Sequence, residues 1–138
     1  MVNEAVIIEL LGFPKGLPIR YTIAAGTSGT DINELTLMKI TDPRTIVVTA
    51  ADNDPFAGIL VQEHEGGTSA TTASVYTFGI FDLKLTTATT AVGDKLSVGG
   101  TNLVSKVAAA DLLFADVGTG LEAGSNDEVI AVLVTPGA

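Results

Sequence analysis

Turn-forming residues interrupt this chain roughly every eight to twelve positions, and the runs between them are short, β-branched and often alternating. Such spacing leaves no room for a long amphipathic helix. The clearest unit is Phe56-Ala57-Gly58-Ile59-Leu60-Val61, a polar loop Gln62-Glu63-His64-Glu65-Gly66-Gly67, then Ala73-Ser74-Val75-Tyr76-Thr77-Phe78-Gly79-Ile80-Phe81-Asp82. It reads as two apolar strands joined by a loop that contains glycine.

The rest of the chain follows the same grammar. Ile19, Tyr21 and Ile23 alternate on one face, as do Leu35 and Leu37, and the turn Thr41-Asp42-Pro43-Arg44 leads into Thr45–Ala50 as a hairpin-like connection. Val92–Val98 enters a strand, Gly99-Gly100-Thr101-Asn102 turns tightly, and Leu103–Val107 returns. Residues 108–114, Ala-Ala-Ala-Asp-Leu-Leu-Phe, have helical composition but are too short to predict more than a loop or a single turn. Asp127–Val134 closes the chain as a strand. The expected fold class is therefore all-β, a barrel or sandwich. Residues 18–138 are read as a single β domain, and residues 1–17 as an N-terminal arm and linker. In that arm the β-prone run Glu4–Leu11 is cut off by Gly12, Pro14, Gly16 and Pro18.

A weaker echo of the central unit recurs. Phe56-Ala57-Gly58-Ile59…Ser74-Val75-Tyr76-Thr77 aligns with Phe114-Ala115-Asp116-Val117…Glu128-Val129-Ile130-Ala131, and Ile46–Asp52 aligns with Leu103–Ala109. The order of strand, acidic loop ending in Gly, and strand predicts a degenerate internal duplication of two small β units.

Composition excludes several classes of function. With 138 residues, a net charge of -9 and only seven Lys and Arg, the chain lacks the cations that phosphate contacts require, so nucleic acid is not an expected partner. No apolar run approaches the roughly 18 residues of a membrane span, and the first residues lack a cationic leader segment. Neither a membrane nor export by a cleaved signal is therefore expected. Without cysteine there is no disulfide framework and no thiolate chemistry. Only 17% of residues are charged, and the mean hydropathy is +0.45, which predicts that apolar surface is hidden against copies of the chain or a partner.

Motifs for chemistry are sparse. The one histidine, His64, sits between Glu63 and Glu65 and reads as a solvated loop residue, because zinc would need further ligands at recognisable spacing. Asp52-Asn53-Asp54 offers oxygen ligands, but Phe56 stands where an EF-hand loop needs another; a turn held by side-chain to backbone hydrogen bonds is the better reading. Gly118-Thr119-Gly120…Gly124 misses the dinucleotide spacing by one residue, with no helix to follow. Asp127 and Glu128, read as strand neighbours, point to opposite faces. No nucleophile–base pairing is recognisable. The expectation is a protein without catalytic residues, metal or cofactor.

Five stretches, Pro18-Ile19-Arg20-Tyr21-Thr22, Leu37–Thr45, Phe56-Ala57-Gly58-Ile59, Val75–Asp82 and Val92-Gly93-Asp94-Lys95-Leu96, occur in an order that resembles the head decoration (capsid cement) proteins of tailed viruses of bacteria and archaea. The resemblance covers about residues 18 to 134. It implies a small β-tulip or β-clip-like body, a homotrimer on the outer surface of the virion capsid at three-fold or quasi-three-fold positions, with the major capsid protein as partner. No catalytic residues carry over. Ala5, Val6, Ile7, Ile8, Leu10 and Leu11 are the expected capsid or subunit contacts, since an apolar strand before a breaker-rich linker can augment a sheet. Equally, that run could be the first strand of the body. Two rival readings remain. One is another virion or surface-layer structural protein, such as a fibre or tail component. The other is a β-clip ligand-binding module using Asp52, Asp54, Glu63, His64 and Glu65.

Overall fold

A computed structural model describes residues 18–24, 30–67, 71–86, 89–107 and 116–135. The expected arm and the short 108–114 segment lie outside them. The described residues are all-β. The strands are β1 (Ile19–Ile23), β2 (Leu37–Asp42), β3 (Thr45–Val48), β4 (Phe56–Leu60), β5 (Thr72–Tyr76), β6 (Gly79–Lys84), β7 (Thr89–Thr90), β8 (Lys95–Gly100), β9 (Leu103–Lys106), β10 (Asp116–Gly120), β11 (Gly124–Ser125) and β12 (Val129–Val134).

Five strands close into a barrel in the order β1-β3-β2-β4-β5, and five more form a sheet in the order β6-β12-β10-β8-β9. The second order repeats the first strand for strand: β6 stands for β1, β8 for β2, β9 for β3, β10 for β4 and β12 for β5. Register repeats as well. Met38 faces Val48 and Gly58 on its two sides, and Leu96 faces Lys106 and Gly118. Both units carry an irregularity at the same place, where Lys39 pairs Phe56 in one and Ser97 pairs Asp116 in the other. β1 runs parallel to β3, and a single parallel bridge from Leu85 to Val104 joins the same neighbours in the second unit. Equivalent loop bonds recur too: Leu60 N donates to Thr36 O and Gly120 N to Asp94 O, each at 2.9 Å. Leu35 and Gly93 occupy equivalent left-handed turn positions, with φ of 61° and 91°.

Pairing therefore aligns Gly58 with Gly118 and Ile46 with Val104. Matching Phe56 to Phe114 and Ile46 to Leu103 by sequence is out of register by two residues and by one. The connection from β9 to β10 is two residues longer than that from β3 to β4, and sequence similarity alone does not mark where those residues were added.

Alternation fills the barrel. Ile23, Ile32, Met38, Ile46, Ala57, Leu60 and Val75 form one buried cluster. Their register equivalents Leu85, Leu96, Val104, Val117 and Val132 fill the second unit, in a cluster shared with Leu37, Phe56 and Ile59 from outside the first barrel. Each fully buried Leu or Ile contributes on the order of 1.5–3 kcal/mol. Much of the apolar composition is thus buried in two interiors and the seam between them.

One expected strand is divided. Ala73–Asp82 reads as one apolar strand, yet β5 ends at Tyr76 and β6 starts at Gly79, whose φ is 153°. There the chain leaves the barrel for the second sheet. Tyr76 and Phe81 flank the crossing with ring centroids 5.7 Å apart.

Candidate functional site

The polar loop after β4 builds a shallow groove of about 570 Å³ lined by Arg20, Gln62, Glu63, His64, Glu65, Thr72 and Ser74. Arg20, Thr72 and Ser74 project from the outer face of β1 and β5, opposite the core residues Ile19, Ile23 and Val75. Glu63 and Glu65 are exposed, but His64 is only 5% exposed. The reading of His64 as a solvated residue is therefore corrected. Its backbone bridges Ile32, with His64 N to Ile32 O at 2.9 Å and Ile32 N to His64 O at 2.8 Å, and this pairing draws the ring inward while both neighbours face out. Gly66 N donates to Asp31 Oδ1 at 2.7 Å, fixing the loop's far end.

The second acidic candidate, Asp52-Asn53-Asp54, is a structural turn. Asp54 Oδ2 accepts from Ala50 N and Ala51 N, both at 2.8 Å, and pairs with Lys39 Nζ at 3.1 Å. Asp52 bridges Gly99 and Asn53 N donates to Val98 O at 2.9 Å, so the turn joins the two units. Burial alone would raise the Asp54 carboxyl, but the two N–H donors and the Lys39 ammonium outweigh it and hold it below its ordinary value of 3.8. A depressed folded-state value stabilises the fold above pH 3.8, and that stabilisation is lost as pH falls through the lower, folded value. Asp54→Ala should thus cost about 2 kcal/mol in urea unfolding at pH 7, from charge-assisted hydrogen bonds. The cost should shrink at pH 3; an equal cost at both values would contradict the assignment.

Asp94 serves the equivalent half in a related way, accepting from Ala91 N at 2.8 Å and pairing with Lys106 at 3.1 Å. Those hydrogen bonds also hold its carboxyl below the usual range. Asp127 and Glu128 lie in the turn before β12 and are not strand neighbours: Asp127 has φ 70°, and Glu128 Oε2 accepts from Ser125 N at 2.8 Å. Gly118 and Gly120 belong to β10, in the middle of a sheet. Among the described residues, no group of three His, Cys, Asp or Glu is arranged to hold a metal ion. Ala5, Val6, Ile7, Ile8, Leu10 and Leu11 lie outside the described residues.

A feature that the sequence reading missed is the outer face of β6 and β12. Ile80 is 65% exposed and Val129 59%, and they flank the half-buried Ala131 and Leu133, with Leu121 beside them. The face is mixed, since the exposed Asp82 and Lys84 of β6 stand opposite Ala131 and Val129. The signal was present in Ile80, Ala131 and Leu133, but assigning them outward requires the register.

The fold defines an all-β protein made of two five-stranded units in tandem. No family model matches the chain, and no curated protein matches it. Among solved structures it is similar to the head fiber gp8.5 N base in bacteriophage phi29, with a TM-score of 0.55 and 14% identity, across 87% of this chain and 94% of that one. At that identity the likeness is one of fold.

Proposed function

We propose that the protein is a structural component of a viral head, a decoration (cement) protein that sits as a homotrimer on the outer capsid surface and bridges neighbouring capsomers against internal pressure. The observation that carries this reading is the fold shared along most of both chains with the base of a phage head fibre. The net charge of -9 suits contact with a protein shell better than with DNA. Two rigidly seated units offer several contact faces, and each contact made raises the effective concentration for the next. The role requires no catalysis, metal or cofactor.

The same likeness also favours a second reading, in which the chain is the base on which a head fibre stands. The two differ in occupancy. Cement repeats over the lattice and strengthens it, whereas a fibre base only needs to anchor.

Mixing the purified protein with expanded, undecorated capsids should raise their rupture temperature; binding without any rise would favour the fibre base, and no binding would refute both. Deleting residues 2–11 should leave the strand circular-dichroism signature intact and weaken capsid attachment. If the shortened chain unfolds, the arm belongs to the body and the contact assignment fails.

A further inference from the structure

The two units differ at one equivalent place, in the groove after β4. In the second unit Leu121 N donates to Ala131 O at 2.8 Å, and the next side chain turns back so that Ala131 N donates to Glu122 Oε2 at 3.1 Å. A carboxylate thus satisfies a backbone donor just beyond the end of β10. The first unit repeats the backbone without the carboxylate. Val61 N donates to Ser74 O at 3.0 Å, which puts Ser74 N in the place of Ala131 N and Gln62 in the place of Glu122. N–H and C=O of one strand residue point the same way, so Ser74 N is aimed toward Val61 and Gln62 in the groove wall. Among the described residues, no side chain accepts from it.

The charge on the neighbouring strand is reversed as well. Ser74 pairs with Arg20, whereas its equivalent Ala131 pairs with Asp82. Arg20 is exposed, and no carboxylate among the described residues pairs with its guanidinium. One wall of the groove therefore brings together a cation, a backbone N–H and the Ser74 hydroxyl, and lacks the anion that the second unit supplies from its own chain. A ligand carboxylate fits there. The opposite wall narrows the choice. Exposed Glu63 and Glu65 repel a bare anion, and the net charge of -9 disfavours a polyanion. Neutral hydroxyl groups suit both conditions, because they donate to carboxylates and pair with the Thr72 hydroxyl and the Gln62 amide without adding charge. The volume of about 570 Å³ lies within the usual range of small-molecule sites.

We propose that this groove binds a sugar acid, a saccharide unit carrying one carboxylate among its hydroxyls. The carboxylate is held by Ser74 N and Arg20, and the hydroxyls face Glu63, Thr72 and Gln62. This holds independently of the capsid role, since binding is read with the free protein.

Titration of the full chain with glucuronate, galacturonate and N-acetylneuraminate, followed by heteronuclear NMR, should shift the Ser74 amide with at least one of the three. Acetate, glucose and glutamate should each bind about tenfold more weakly or worse, since each lacks part of the pairing. Arg20→Gln should weaken sugar-acid binding by about tenfold or more. Gln62→Glu should abolish it by supplying the missing carboxylate from within, and should shift the Ser74 amide with no ligand present. Both substitutions alter exposed positions, so the circular-dichroism spectrum should stay that of the wild type. Binding by none of the three sugar acids, equal binding of acetate, glucose or glutamate, or undiminished binding by Gln62→Glu would overturn the proposal.

Discussion

Gly118→Ala is expected to lower the unfolding free energy by about 3 kcal/mol or more, a cost at the upper end for overpacking. A Cβ at Gly118 would overlap the carbonyl oxygen of Leu133 and stand 2.8 Å from its carbonyl carbon and 3.0 Å from Val134 Cα. Those are backbone atoms of the paired strand, so no rotamer change relieves the overlap; β10 and β12 must separate. Gly58 is under the same constraint in the first unit, where a Cβ would lie 2.7 Å from the carbonyl oxygen of Tyr76, the counterpart of Leu133, and 2.6 Å from Val75 Cγ2. Urea midpoints for the two Ala variants measure the effect. A loss at either glycine below about 1 kcal/mol, within the range of ordinary surface changes, would contradict the close approach.

Phe56→Ala should cost about 3–5 kcal/mol, as expected for removing a buried aromatic ring. Phe56 is 7% exposed and belongs to the cluster that joins the two units. Its loss opens a cavity at the seam rather than inside the barrel. Beyond lower stability, the variant should unfold less cooperatively, because the seam couples the two units. A single sharp transition at the wild-type midpoint would show that the seam contributes little. The equivalent position in the second unit is Asp116, 2% exposed, with Lys95 Nζ at 3.9 Å. Phe56 joins the cluster shared with the second unit, whereas a carboxylate holds the equivalent position in the second unit.

How far the sequence could be read follows from what is local. Turn chemistry at Pro43–Arg44 and Thr101–Asn102 placed both hairpins, and alternation in β1 separated Ile19 and Ile23 from the exposed Arg20 and Thr22. Asp54 was legible as a turn residue for the same reason, since its partners Ala50 and Ala51 are close in the chain. Non-local pairing was not legible. The burial of His64 depends on Ile32, far back in the chain, and the division at Gly79 depends on which sheet each strand joins. The functions of Gly58 and Gly118 depend on carbonyls across the sheet. The exposed Ile80–Leu133 face was hidden for a related reason: in a run as apolar as Val129–Val134, sequence does not say which side is the core.

Imaging heads to which the purified protein has been added tests the capsid role most directly. A decoration protein is expected as density at every equivalent site of the outer lattice, with neighbouring capsomers joined beneath each copy. Density confined to sparse sites or to the tail, or a lattice left bare at saturating protein, would contradict it.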